Sequence, residues 1–438
     1  MALSAKATIG ASAACSLENF GRLAIYGANP PYVYAGSISH HQNGSEAPCV
    51  VASGSVDNSS SVLVSATYTC VEADKSIRWR HRLNITTAPL RVSQVDNMAT
   101  DSAGNIYIGI GVEETTNVYY PHLIKLDANG GRLWQRRINP GVTSSVRGLT
   151  VDSSGNVIVL VSSSGGGMTI LKYNSSGTLQ WQKKHDLLKV DICSLAADAS
   201  GNFYYAGLGS STYLGSNLIK FDSSGSVVWH RMLGSTSSED PRCMNISPNG
   251  AYIAVGGKTT APQGFVSLFD SSGNLLFSTK YTETSQTGLS YINGIAVDNS
   301  GDVYATSLQP RSLASVALLC KFNQSGTLLW ARRISPTTNT TEPFAPVNVV
   351  VANGGLALSV DCYTDMSVLF LPTHGGPTGT IDGGSRPISY ASTTITQATG
   401  PAVSTPTAAS MSSGVATEGA GSLPASTTET TTASFIRI

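Results

Sequence analysis

Residues 123–138 read LIKLDANGGRLWQRRI: an alternating strand, a tight turn set by Asp127 and Gly130, a second alternating strand with Trp134, and a basic close. Alternation on both sides of a short turn describes an antiparallel hairpin. The phrase returns as ILKYNSSGTLQWQKKH at 170–185, LIKFDSSGSVVWHRML at 218–233 and LCKFNQSGTLLWARRI at 319–334. VSLFDSSGNLLFSTKY at 266–281 holds Phe277 where the others hold Trp, and a shortened copy, TCVEADKSIRWRHRL at 69–83, holds Trp79. Trp79, Trp134, Trp181, Trp229, Phe277 and Trp330 thus recur with a period of about 50 residues, in the range of solenoids, propellers and arrays.

A second phrase, an apolar strand, D-x-x-G-N and another apolar strand, precedes each copy. It reads MATDSAGNIYIGIG from Met98, LTVDSSGNVIVLV from Leu149, LAADASGNFYYAGLG from Leu195 and IAVDNSGDVYATS from Ile295. MNISPNGAYIAVGG from Met244 and VVANGGLALSV from Val350 are degenerate, and SGSVDNSSSVLVS around Asp57 lacks the glycine. Two hairpins per unit make four strands, and seven units make an all-β, seven-bladed β-propeller of four-stranded antiparallel blades over residues 45–372. The last unit is weak, so blade 7 is expected to borrow a strand from one end of the chain.

Asp101, Asp152, Asp198 and Asp298 can accept backbone hydrogen bonds two residues on, and Gly104, Gly155, Gly201 and Gly301 supply the positive φ that closes a hairpin. Each turn brings one carboxylate, whereas Ca²⁺ takes six to eight oxygens, so the pattern reads as turn chemistry and not as a metal loop.

These phrases resemble Ser/Gly-rich bacterial propeller repeats and the tryptophan-docking repeats of quinoprotein-type propellers. The resemblance implies that Trp79, Trp134, Trp181, Trp229 and Trp330, with Phe277 in the same place, dock on the turn of a neighbouring blade. Trp181 and Trp229 lie in the most regular units and are expected to have the best-formed pockets. Quinoprotein enzymes add adjacent cysteines and Ca²⁺-ligating carboxylates. Neither is present here, so no catalytic residue, metal ligand or cofactor is assigned.

Charged residues are 12% of the 438, half the usual share, and 27 basic residues balance 27 acidic ones. A neutral chain gives no support for nucleic-acid binding, and no apolar run is long enough for a membrane-spanning helix. The first residues, MALSAKATIGASAACSLENFG, lack the apolar core of an export signal. The seven cysteines form no C-x-x-C pair. Cys193, Cys243 and Cys320 fall in buried strands, and Cys49 with Cys70 is the one pair close enough within a blade to cross-link. Basic residues follow the aromatic in blade after blade, Arg82, Arg136, Arg137, Lys183, Lys184, Arg231, Lys280, Arg332 and Arg333 among them. They read either as protection of the outer strand edge or as a belt for an acidic partner. His81, His185 and His230 lie on outer strands and read as surface histidines.

Residues 1–44 form a non-repetitive arm that either closes the ring or docks elsewhere. Residues 373–438 are a Gly/Ser/Thr/Pro-rich extension unable to fold alone. A rigid ring with such ends suggests a non-enzymatic structural or interaction subunit, in the style of a phage-like virion tail or capsid-surface protein. It would bind other subunits through 1–44 and 373–438, leaving inter-blade loops such as GVEETTNVYYP at 111–121 to meet a host receptor or glycan. The alternatives are a secreted or cell-surface lectin or adhesin and, second, a quinoprotein-type propeller enzyme.

Overall fold

The computed structural model describes residues 21–404, apart from short connections between strands, and residues 433–437. The described residues form strands and turns with no helix, and hence none able to cross a membrane. Seven antiparallel sheets follow one another along the chain, and each is a blade. Blade 2 consists of Asn97–Thr100, Ile106–Thr115, Val118–Leu126 and Arg132–Arg137, ordered from the channel outward. Blades 3, 4, 5 and 6 repeat that order within residues 144–184, 188–233, 240–283 and 291–336.

Each blade is sandwiched between two others, so its middle strands are covered on both faces. Val316–Phe322 is buried at all but one position, which explains why VALLCKF is nearly continuous in apolar residues. Between blades 2 and 3, Tyr107 and Leu123 pack with Val146, Leu149, Val157, Val159 and Leu171. The other seams repeat this sheet-on-sheet packing, and the core is a series of such layers around the axis.

The D-x-x-G turns close as the spacing requires. Asp101 Oδ1 accepts the N–H groups of Ala103 and Asn105 at 3.0 and 2.8 Å, and Gly104 takes a φ of 78°. Asp101 Oδ2 accepts from the Tyr107 hydroxyl at 3.0 Å, so the carboxylate is saturated within its own blade. Among the described residues no three His, Cys, Asp or Glu side chains gather into a metal cluster.

The ring is closed by the N-terminal segment. Blade 7 takes three strands from Ala345–Ala352, Gly355–Asp361 and Asp365–Pro372. Its outer strand is Gly21–Tyr26, paired antiparallel from Gly21↔Phe370 to Tyr26↔Asp365. Blade 1 begins with Val33–His41, which pairs with Cys49–Asp57 and packs on blade 7. Its first strand therefore precedes residue 45, where the repeat becomes visible in sequence. The copy placed around Asp57 is not the first turn of the blade: Asp57 faces Leu63 across the turn between the second and third strands.

The described parts of the C-terminal extension lie on the ring as additional strands. Ile388–Ser392 pairs with the outer strand of blade 6, Ile395–Thr399 with that of blade 5, and Val403–Ser404 with that of blade 4. Ala433–Arg437 pairs with Ile77–Ile85 of blade 1. Backbone pairing supplies what the composition of this segment cannot, and Tyr390 anchors it, fully buried with its hydroxyl donating to Gly375 O at 3.1 Å.

Candidate functional site

The repeated aromatic sits at each inter-blade seam. The indole N–H of Trp79 donates to Ala128 O at 2.9 Å, Trp134 to Ser175 O at 3.0 Å, and Trp181 to Ser223 O at 3.3 Å. Trp229 donates to Ser271 O at 3.4 Å and Trp330 to Thr373 O at 3.2 Å. Every acceptor lies in a turn of the next blade. The turn glycine must come close: a Cβ on Gly225 would lie 2.9 Å from the Trp181 ring, and one on Gly326 2.8 Å from Phe277. Trp79 is the most enclosed of the five tryptophans, 4% exposed, whereas Trp181 and Trp229 are half-buried with longer hydrogen bonds. The most regular units thus do not have the tightest pockets.

The residue two positions after the aromatic completes the clamp. Arg136 Nε donates to Gly177 O at 2.7 Å, Arg231 Nε to Gly273 O at 2.8 Å, and Arg332 Nε to Gly375 O at 2.9 Å. Each guanidinium also lies over its own tryptophan ring at 5.2 to 5.6 Å. In blade 1 the position belongs to His81, whose Nε2 lies 3.3 Å from Asn129 O. Three of the nine basic residues, Arg136, Arg231 and Arg332, thus hold the neighbouring turn, a role that neither edge protection nor a partner belt describes. The signal lay in their phase, a cation two residues past the aromatic facing a turn rich in free carbonyls.

Of the three outer-strand histidines, His185 lies outside the described residues, and the other two are not surface groups. His81 is 9% exposed and His230 is 2% exposed. His230 Nε2 lies 2.6 Å from Asn217 Oδ1, and burial, helped by the Arg231 charge, holds its pKa down to about 4. Protonation therefore favours the unfolded chain. Stability tied to His230 is complete above the ordinary value of 6.5 and is lost as pH falls toward 4. Urea unfolding across that range should show wild type losing roughly 2–3 kcal/mol more than His230→Gln. Equal losses would remove His230 as the titrating group.

Of the cysteines, Cys243 and Cys320 are free and buried, and burial pushes the Cys320 thiol up to about 12. Cys70 is disulfide-bonded, and its partner lies outside the described side chains. Residues 111–121 are not an inter-blade loop but the hairpin between the second and third strands of blade 2, with Gly111 paired to Pro121. There Glu114 receives a two-pronged ion pair from Arg137, with Nη2 to Oε2 at 2.6 Å and Nε to Oε1 at 2.7 Å. His122 lies 3.0 Å from the same carboxylate. Burial opposes its ionisation, but these hydrogen bonds and charges prevail and lower its pKa to about 2.

Two surfaces remain open to a ligand or partner. The first is a rim. Among the described residues the exposed large apolar side chains are Leu133, Val228, Leu275, Leu276 and Leu329. All fall at the first or second position of an outer strand, in blades 2, 4, 5 and 6. The second is the central channel, about 870 Å³, lined by the inner strands of blades 2 to 7. In four of them a register shift at one residue marks a β-bulge: Arg147, Arg242, Asn293 and Val347. A bulge re-aims a side chain, and all four line the channel.

The family model for the outer membrane protein assembly factor BamB matches residues 69–242 and 123–361. No curated protein matches the chain in sequence. Among solved structures, the β-propeller domain of the Trilobed protease from Pyrococcus furiosus is similar at TM-score 0.45 and 9% identity, over 78% of this chain and 94% of that one. A gluconolactonase from Xanthomonas campestris is similar at TM-score 0.37 and 13% identity, over 66% and 91%. TolB from Acinetobacter baumannii is similar at TM-score 0.37 and 12% identity, over 66% and 78%. The matched stretches together cover more than half of the chain, and the quinoprotein-type repeats are built into seven blades: the protein belongs to the family of the outer membrane protein assembly factor BamB.

Proposed function

We propose that this propeller is a non-enzymatic interaction subunit, a rigid platform that docks other protein subunits of a larger assembly, as in a phage-like virion. The observation that carries this reading is the rim. Exposed aliphatic side chains are ordinary when scattered, but here they repeat at one position of the outer strand in four blades. Blades 1 and 3 break the series with Arg78 and Gln180 at that position, so the apolar rim is confined to part of the ring. The ends of the chain reinforce the platform, with a strand of each paired on the ring.

The variant Leu133→Lys, Val228→Lys, Leu276→Lys, Leu329→Lys tests it, because these positions are exposed. In sedimentation of native material the wild-type chain should travel with a large particle. The variant should appear as a free monomer with an unchanged melting temperature. A wild-type chain that sediments only as a monomer would refute the proposal.

One observation favours a second reading, a secreted or cell-surface binding module. A disulfide at Cys70 suits an oxidising compartment, and the family description places its namesake at the outer membrane. Cell fractionation separates the two, since the module would be found free outside the cytoplasm and not in particles.

A further inference from the structure

We propose that the outer edge of blade 3 binds an extended, acidic, glutamine-bearing segment of a partner protein, which adds to the blade as a strand. The site is separate from the apolar rim, which blade 3 interrupts with Gln180, and its test does not depend on the assembly proposed above. The outer strand of blade 3 is Leu179–Lys184, and among the described residues no strand covers it. The chain itself shows that such an edge accepts one. Blades 1, 4, 5 and 6 each carry an added antiparallel strand on the equivalent edge.

Blade 5 shows what the added strand does at a seam. Its clamp position, two residues past Phe277, holds Thr279, which is too short to act as the arginines do. Gln397 of Ile395–Thr399 takes their place: its Nε2 donates to Gly326 O at 3.1 Å and to Thr279 Oγ1 at 3.2 Å. The carbonyl oxygens of Gly177, Gly273, Gly326 and Gly375 thus accept side-chain donors from Arg136, Arg231, Gln397 and Arg332. Gly225, in the same place in the blade 4 turn, is the exception. It is buried, yet among the described residues its carbonyl oxygen has no donor. Lys183 stands at the clamp position and lies over the Trp181 ring at 5.9 Å, but makes no hydrogen bond among the described residues. Blade 3 therefore has the open edge and the vacant carbonyl that blade 5 has filled.

Charge and register define the occupant. Lys184 is exposed and has no ion pair among the described residues. Asp222, in the turn on which Trp181 docks, acts on Lys183 through its charge alone, and its Oδ1 is taken by the N–H groups of Ser224 and Ser226. Opposite charges facing each other across strands stabilise an added strand. In blade 5, Gln397, Ala398 and Thr399 face Tyr281, Lys280 and Thr279. Counted from the aromatic, Lys183 and Lys184 stand where Thr279 and Lys280 do. The bound segment therefore reads glutamine, then an acidic residue facing Lys184, then a residue facing Lys183. The chain's own 405–432, which joins Ser404 on blade 4 to Ala433 on blade 1, contains no Asn, Gln, Lys, Arg or His to serve as the long donor. The donor comes from a partner.

The test is fluorescence anisotropy of the full chain with a labelled peptide spanning residues 393–400, in which Ala398→Glu supplies the acid. Binding should be saturable, and glutamine to alanine in the peptide should weaken it about fivefold, as for one neutral hydrogen bond. Lys184→Glu in the protein should weaken it about tenfold. Lys183→Arg keeps the charge but lets a guanidinium close on Gly225 O, as Arg136 closes on Gly177 O, so it should raise the melting temperature and weaken the peptide. Amide exchange across Leu179–Lys184 should slow only when peptide is added. The proposal is overturned if no saturable binding appears up to about 1 mM peptide. It is equally overturned if the alanine peptide binds as well, or if either protein variant binds as tightly as wild type. Slow exchange at that edge before peptide is added would assign it to the chain's own 405–432 and overturn the proposal too.

Discussion

Trp79→Ala should lower the unfolding free energy by about 3–5 kcal/mol, the range for removing a large buried aromatic. The indole is 4% exposed and lies between blades 1 and 2, against His81 with ring centroids 5.0 Å apart. Its N–H satisfies Ala128 O, and truncation leaves that buried carbonyl without its donor as well as opening a cavity. The residue two positions on, His81, reaches the same turn through a 3.3 Å contact, weaker than the arginine clamps of blades 2, 4 and 6. Trp181→Ala should cost less, since that ring is half-buried and its hydrogen bond is 3.3 Å long. Urea unfolding of both variants gives the order. A larger loss at Trp181 would show that enclosure does not set the strength of a seam.

Removing residues 1–26 should have an effect of similar size. Gly21–Tyr26 contributes six cross-strand partners to blade 7, and pairs of this kind are worth up to ~1 kcal/mol each, or about 1–6 kcal/mol in total. The loss should also be local at first. Amide exchange in 345–372 should accelerate well before that in blades 3 to 5, and a single unfolding transition should split in two. Unchanged protection of Asp365–Pro372 would mean that the strand is a passive addition and that blade 7 is stable with three strands.

How far the sequence revealed this depended on where side chains, and not backbone, carried the information. Trp134, Asp127 and Gly130 sit in fixed phase, so the blades and their docking face were readable from residues 123–138 alone. The first strand of blade 1 was not, because VYAGSISHH leads into no D-x-x-G turn and the degenerate copy at Asp57 drew the boundary too late. His81 was misread because a lone histidine on an outer strand resembles a solvent-facing one; only its register with Arg136 and Arg231 shows the clamp. The strands ITQAT and VS are added through backbone hydrogen bonds, which leave little trace in composition. The channel was hidden for another reason. A bulge shifts the alternation by one residue, so Arg147 and Arg242 fall outside any simple inward–outward count.

The tail runs against the order of the blades, from 6 to 5 to 4, stitched to each outer strand in turn. Mechanically it is a strap. A linear stack of repeats frays from its two ends, whereas a closed circle has none, and a strap across the seams between blades 6 and 5 and between blades 5 and 4 resists the radial spreading that would open those two. Across those two seams the gauge of the bore is then set by the blades and held from outside, by backbone pairing that asks nothing of the side chains.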